Sequence, residues 1–240
     1  GQHREVAGGE ENKAGMVYRV KQGAPAPFDT LAGKEALIIR STPVLNAPFA
    51  VNLDVLPADV LDANTGETVA MVSLPDFDPN DPATLQGQAG FNRATKGVYE
   101  MGSTFKLFTA AMALDAGTVT LQDGYDASKP IRVARFTISD YHAKNRWLSV
   151  PEILVYSSNI GAAKMALDVG TQGQREYLRR FGLLSAPAIE LPEVGKPLVP
   201  GQWREINTMT ISYGHGIAVS PLQLATATAT LVNGGIRYTP

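Results

Sequence analysis

Polar and apolar residues alternate through "ADVLDANTGETVAMVSL", residues 58–74, on both sides of Asn64, Thr65 and Gly66. A period of two is the pattern of a half-buried strand, and Asn and Gly at the break suit a tight reversal, so the stretch predicts a β-hairpin. "PDFDPNDP" follows, dense in Pro, Asp and Asn, and reads as loop. The pattern then changes. In "YEMGSTFKLFTAAMALDAG", residues 99–117, Phe105, Leu107, Phe108, Ala110, Ala111, Met112, Ala113 and Leu114 leave almost no polar stripe. A helix apolar on every side is normally enclosed by other elements. Gly102 marks its start and Gly117 its stop. Further helices are expected over about 150–156, 159–169 and 171–181, the last stopped by Gly182. "SPLQLATATATLVNGG" adds another, with Pro221 in its first turn and Gly234 at its end.

Ahead of the hairpin, residues 1–58 are rich in Gly, Pro and charge, with "MVYRV" and "ALIIR" as short β-like runs. They are expected to form a short, irregular amino-terminal appendage, separated near Pro57 from a main domain spanning 59–240. A strand pair followed mainly by helices places the fold in the α+β class, with helices packed on and beside an antiparallel sheet.

The 240 residues, 44% of them hydrophobic, suffice for one sizeable core. A formal charge of -2 produces no field suited to phosphate backbones or anionic lipid, so nucleic acid is not an expected partner. Arg132, Arg135, Lys144 and Arg146 cluster loosely and read as a solvated face. With no cysteine there is neither a disulfide framework nor a thiolate zinc site, and His3, His142 and His215 lack the spacing of metal ligands. No apolar run approaches the ~18 residues that span a bilayer, and no leader pattern opens the chain. If the parent protein is exported or anchored, that segment is expected outside this sequence.

Against this background Lys106 is out of place, in the first turn of a helix that is otherwise greasy. Residues three apart on a helix share a face, so Ser103 and Lys106 can meet in one cavity as nucleophile and base. Burial disfavours the ammonium, which lets a lysine accept a hydroxyl proton near neutral pH. At a helix start the free backbone N–H groups favour a developing anion, which makes the Ser103 N–H a candidate oxyanion donor. The plainer alternative is a capping serine and a lysine that snorkels to solvent. A second group, Ser157, Ser158 and Asn159 in "VYSSNIGAAKMA", lies between two helical patterns, where a short loop can enter the same cleft. Ser157 could relay a proton to a leaving amine, and Asn159 could hold Lys106 and a substrate amide. Alternatively Ser158 or Asn159 caps the next helix.

Ser-x-x-Lys followed by Ser-Asp-Asn and, as a third motif, Lys-Thr-Gly is the signature of penicillin-binding proteins and class A β-lactamases. The blocks "VLDANTGETVAMVSLPDFDPN", "NRATKGVYEMGSTFKLFTAAMALDAG", "VYSSNIGAAKMA" and "YGHGIAVSPLQLATATATLVNGG" together resemble class B penicillin-binding proteins, in the division transpeptidase branch of Gram-negative bacteria, over about residues 59–240. The resemblance implies a penicillin-binding, serine β-lactamase-like fold, with Ser103 as the acylated nucleophile, Lys106 as its base, and Ser157 with Asn159 as the second motif. Tyr156, Ser158, Gly214, His215 and Gly216 are further candidates for contacting substrate. It also implies attack on the D-Ala-D-Ala bond of peptidoglycan stem peptides, transfer of the acyl group to a neighbouring amine, and covalent inhibition by β-lactams. No metal or organic cofactor is implied. Division proteins in the membrane would be partners, and the site would be the periplasmic face of the inner membrane.

Two departures accompany the resemblance. No lysine is followed by Thr-Gly or Ser-Gly, so the third motif, with the strand that carries it, is missing before Pro240. The transpeptidase domain is therefore expected to be incomplete at its carboxyl end and, as it stands, a poor catalyst, since one lost oxyanion donor costs roughly 100- to 1,000-fold. The segment 1–58 is too short to match a whole pedestal and is expected to be its remnant. A serine β-lactamase or sensor would need a base to activate water, for which Glu190 and Glu193 in "IELPEVG" are candidates, although a structural role suits that loop better. A catalytically silent divisome module is the remaining alternative. His215 in "YGHG" has no nucleophile-elbow Gly-x-Ser-x-Gly beside it, and Trp147 and Trp203 read as packing anchors.

Overall fold

In the computed structural model, residues 16–20, 36–40 and 57–240 are described. The alternating stretch after Pro57 forms two strands of a four-stranded antiparallel sheet. Its members, β1 (Met16–Val20), β2 (Ala36–Arg40), β3 (Pro57–Asp62) and β4 (Thr68–Ser73), pair in that order. The β3–β4 reversal closes where expected: Gly66 N–H donates to Asp62 O at 2.8 Å and Asp62 N–H to Glu67 O at 2.9 Å. Both β-like runs of the amino-terminal segment are strands, and β2 lies directly against β3. Pro57, near which a boundary was expected, is the first residue of β3, and the sheet runs across it from β2 to β3.

The helix expected from "SPLQLATATATLV" is α5 (Pro221–Val232), and it packs against β3 and β2. Residues 221 to 230 are all buried. Its threonines tolerate this because each donates back to the carbonyl four residues earlier: Thr226 to Leu222 O, Thr228 to Leu224 O and Thr230 to Thr226 O. The greasy helix is α1 (Phe105–Asp115), preceded by one 3₁₀ turn, Gly102–Thr104. Two core clusters take opposite sides of it. Phe105, Phe108 and Met112 join Leu178, Ile211, Val219 and Leu224, while Ala110 and Ala113 join Leu148, Ile153, Ile160 and Met165. That double burial is why no polar stripe was needed.

Between them run α2 (Val150–Val155) and α3 (Asn159–Arg180). The two helices expected at 159–169 and 171–181 are one run broken at Gly170, where φ is 79° and ψ is 159°. A helix not anticipated, α4 (Glu205–Ile211), packs on α3. Four short strands were also not anticipated: β5 (Gly124–Asp126) pairs with β8 (Trp147–Ser149), and β6 (Ile131–Val133) pairs with β7 (Phe136–Ile138). Three residues are too few to show a period. Trp203 packs against the main core, but Trp147, expected as an anchor, is 47% exposed.

Candidate active site

Three chain segments meet around the Lys106 amine. The first is the turn that carries Ser103. Gly102 has φ of +55°, which turns the chain into the 3₁₀ turn ahead of α1. Gly214 lies against it so closely that a Cβ there would stand 2.1 Å from Gly102 O. Only a glycine permits that approach.

The second is the first turn of α1, where Lys106 is 3% exposed. Its Nζ lies 2.7 Å from Ser157 O, 2.7 Å from Asn159 Oδ1, 2.8 Å from Ser157 Oγ and 3.0 Å from Ser103 Oγ. Burial lowers its pKa to about 8, against the opposing pull of the Asp140 charge, which raises it. The partner set suits the neutral amine. Two partners, the carbonyl oxygens of Ser157 and Asn159, only accept, and they use both N–H groups. The lone pair is then left for a hydroxyl proton. Ser157 Oγ also donates to Ser103 Oγ at 2.9 Å, so both hydroxyls and the amine form a closed triangle.

The third segment is the turn from α2 into α3. Ser157 has φ of +54°, a conformation that L side chains adopt at a cost, and it brings the carbonyl and hydroxyl of one residue onto the same amine. Asn159 is fixed from its other end, Nδ2 donating to Ser139 O at 3.0 Å. Ser158, a candidate for substrate contact, has another role. It is 1% exposed, caps α3 by accepting from Gly161 N–H, and donates to Asp140 Oδ2 at 2.8 Å. Its hydroxyl proton is committed to Asp140, and the side chain caps α3 from a buried position.

The remaining candidates lie on or against the same three segments. Tyr156, 38% exposed, adjoins Ser157 and has the cationic groups of Lys144 and Arg146 over its ring. Gly216 N–H donates to Glu100 Oε1 at 2.7 Å, and His215 Nδ1 lies 3.3 Å from Glu100 Oε2. The imidazole is 62% exposed and makes no hydrogen bond to Ser103, Lys106 or Ser157. Glu193 accepts from Asn92 Nδ2, Glu190 is exposed, and neither is bonded to Ser103, Lys106, Ser157 or Asn159.

Three contributors were not read from the sequence. Asp140 accepts from Ser158 Oγ and from Ile160 N–H, at 2.9 Å, and so holds the start of α3. Ser139 supplies a carbonyl to Asn159, and Glu100 ties the Ser103 segment to the Gly214–Gly216 loop. The only signal was an acid at the end of "FTIS", with no fixed spacing to the serines.

Residues 58–240 match the penicillin-binding protein transpeptidase domain family. The chain is 42% identical over 176 residues to a protein of Caulobacter vibrioides named probable peptidoglycan D,D-transpeptidase FtsI, covering 73% of this chain and 30% of that relative. The transpeptidase domain of Burkholderia pseudomallei penicillin-binding protein 3 superposes with a TM-score of 0.65 at 29% identity, over 75% of this chain and 50% of that one. A ceftriaxone acyl-enzyme of penicillin-binding protein A from M. tuberculosis gives 0.68 at 28% identity, over 77% and 46%. The chain thus spans less than a third of the length of the FtsI relative.

Proposed function

From the premise that this chain belongs to the penicillin-binding protein transpeptidase family, in its class B division branch, we propose that Ser103 is the acylated nucleophile of a peptidoglycan D,D-transpeptidase. The observation that carries this is the Lys106 amine, bound to Ser103 Oγ and to both parts of the second motif while burial lowers its pKa. Lys106 Nζ takes the hydroxyl proton as Ser103 Oγ bonds to the carbonyl carbon of the penultimate D-alanine. The Ser103 N–H, at a helix start, supports the oxyanion. Collapse breaks the C–N bond, and the departing amine of the terminal D-alanine receives a proton through Ser157 Oγ, which touches both Lys106 Nζ and Ser103 Oγ. The ester then passes to an amine of a second stem peptide, regenerating the serine.

Substrate and inhibitor follow from this chemistry: stem peptides ending in D-Ala-D-Ala, and β-lactams, which acylate the same oxygen. Assembly with division proteins at the periplasmic face of the inner membrane belongs to the same proposal. No helix among the described residues is long and apolar enough to cross a membrane. The β-lactamase alternative draws no support from Glu190 or Glu193, neither of which is bonded to Ser103, Lys106 or Ser157.

Mass spectrometry of the full-length protein after penicillin treatment tests the proposal. The adduct is expected on Ser103, absent in Ser103→Ala, and slowed roughly 100- to 10,000-fold in Lys106→Ala, the range of a lost general base. An adduct on another residue, or an unchanged rate without the lysine, rejects it.

A further inference from the structure

Asn145 holds a left-handed φ of 52°. Such a conformation is uncommon for an L residue, and it lies between two cations that converge on one ring. Lys144 Nζ is 4.6 Å and Arg146 Cζ 5.7 Å from the centroid of Tyr156. Tyr156 is half-exposed and immediately precedes Ser157, whose carbonyl and hydroxyl both meet Lys106. The segment that carries the two cations runs on from Ser139 and Asp140, which meet Asn159, Ser158 and Ile160. Lys144 thus follows four residues after a contact with the second-motif turn and closes on the ring next to Ser157.

Their charges are not equivalent. Arg146 is bound in a fork to Glu152, Nη2 to Oε1 at 2.7 Å and Nη1 to Oε2 at 3.2 Å, and also donates to Trp147 O. The same Glu152 closes the cap of α2, accepting from Ser149 N–H. Its charge is fully used there. Lys144 is exposed and has no carboxylate within ion-pair distance among the described residues. A cation resting on a ring face is held in place while keeping N–H donors for an anion. A peptide donor can offer such an anion only as a carboxylate.

We propose that the Lys144 ammonium, seated on Tyr156 beside Ser157, is a subsite for an internal carboxylate of the acyl-donor peptide. This rests on the transpeptidase function proposed above, and it makes Lys144 a specificity residue acting on which donors are used.

The test compares two synthetic donors ending in D-Ala-D-Ala, identical except that one bears an internal carboxylate and the other the matching carboxamide. kcat/KM for acylation is measured on the full-length protein. The carboxylate donor is expected to be preferred about two- to fivefold, the worth of an exposed ion pair, with the preference shrinking as salt is added. It falls to parity in Lys144→Ala and inverts in Lys144→Glu. Arg135→Ala, whose guanidinium lies over Phe136, keeps the original ratio. An unaltered ratio in Lys144→Glu, or an equal loss on both donors, overturns the subsite. Penicillin labelling of the same preparations separates the two proposals: labelled Ser103 with an unaltered ratio removes the subsite alone, and no labelling removes both.

Discussion

Lys106 shows how one buried amine determines a pH profile. It must be neutral to accept the serine proton, and burial brings its pKa from 10.5 to about 8, so the reactive fraction grows as pH rises through that value. Penicillin acylation is expected to rise roughly tenfold per pH unit below about 8 and to level off above it. The Asp140 charge raises the lysine value, so Asp140→Asn is expected to start the plateau at lower pH. Stopped-flow acylation across pH 6 to 10 measures both, and a midpoint unmoved in Asp140→Asn contradicts the assignment. Ser103, Lys106, Ser157 and Asn159 were legible because their chemistry sits at short spacings on or beside helices. Asp140 was not, since its partners are a hydroxyl 18 residues later and a backbone N–H. Nothing local marks an acid for either.

At the scale of elements, the nucleophile depends on how two loops touch. Gly214, with φ of +81°, packs on the turn of Gly102, and an added Cβ would meet Gly102 O at 2.1 Å and Gly102 N at 2.5 Å. Gly214→Ala is therefore expected to push the Ser103 turn aside, lowering penicillin acylation by about 100-fold, as a misplacement near 1 Å does, while circular dichroism stays native. Wild-type acylation in that variant would refute the contact. The hairpin, α1, α2, α5 and the break at Gly170 could all be read from period and punctuation. In contrast, α4 and the three-residue strands have too little pattern of their own, and tertiary neighbours decide their form.

Taken whole, the described residues enclose one carboxyl group without a hydrogen-bond partner. Asp59 on β3 is fully buried, neither carboxylate oxygen has a hydrogen-bond partner, and burial raises its pKa to about 7. A carboxyl whose folded value lies above its unfolded value binds its proton more tightly when folded. Its contribution is thus complete below about pH 4, is lost as pH rises toward 7, and changes little beyond. Asp59→Asn carries no such titration. Relative to wild type, urea melts of this variant are expected to gain roughly 3 kcal/mol of stability between pH 4.5 and 7.5, at 1.36 kcal/mol per pH unit. A constant difference between the two proteins would place the group in water.

The sequence alone determined the order of the main elements, the greasy helix and the chemical types in the cleft, because these follow from period, glycine punctuation and residues a few positions apart. Only the tertiary structure decided which hydroxyl meets the amine and which caps a helix. Ser157 and Ser158 are adjacent and chemically identical, and a single left-handed φ at Ser157 sends one to Lys106 and the other to Asp140. Long-range packing imposes such a dihedral against local preference, so no local pattern encodes it.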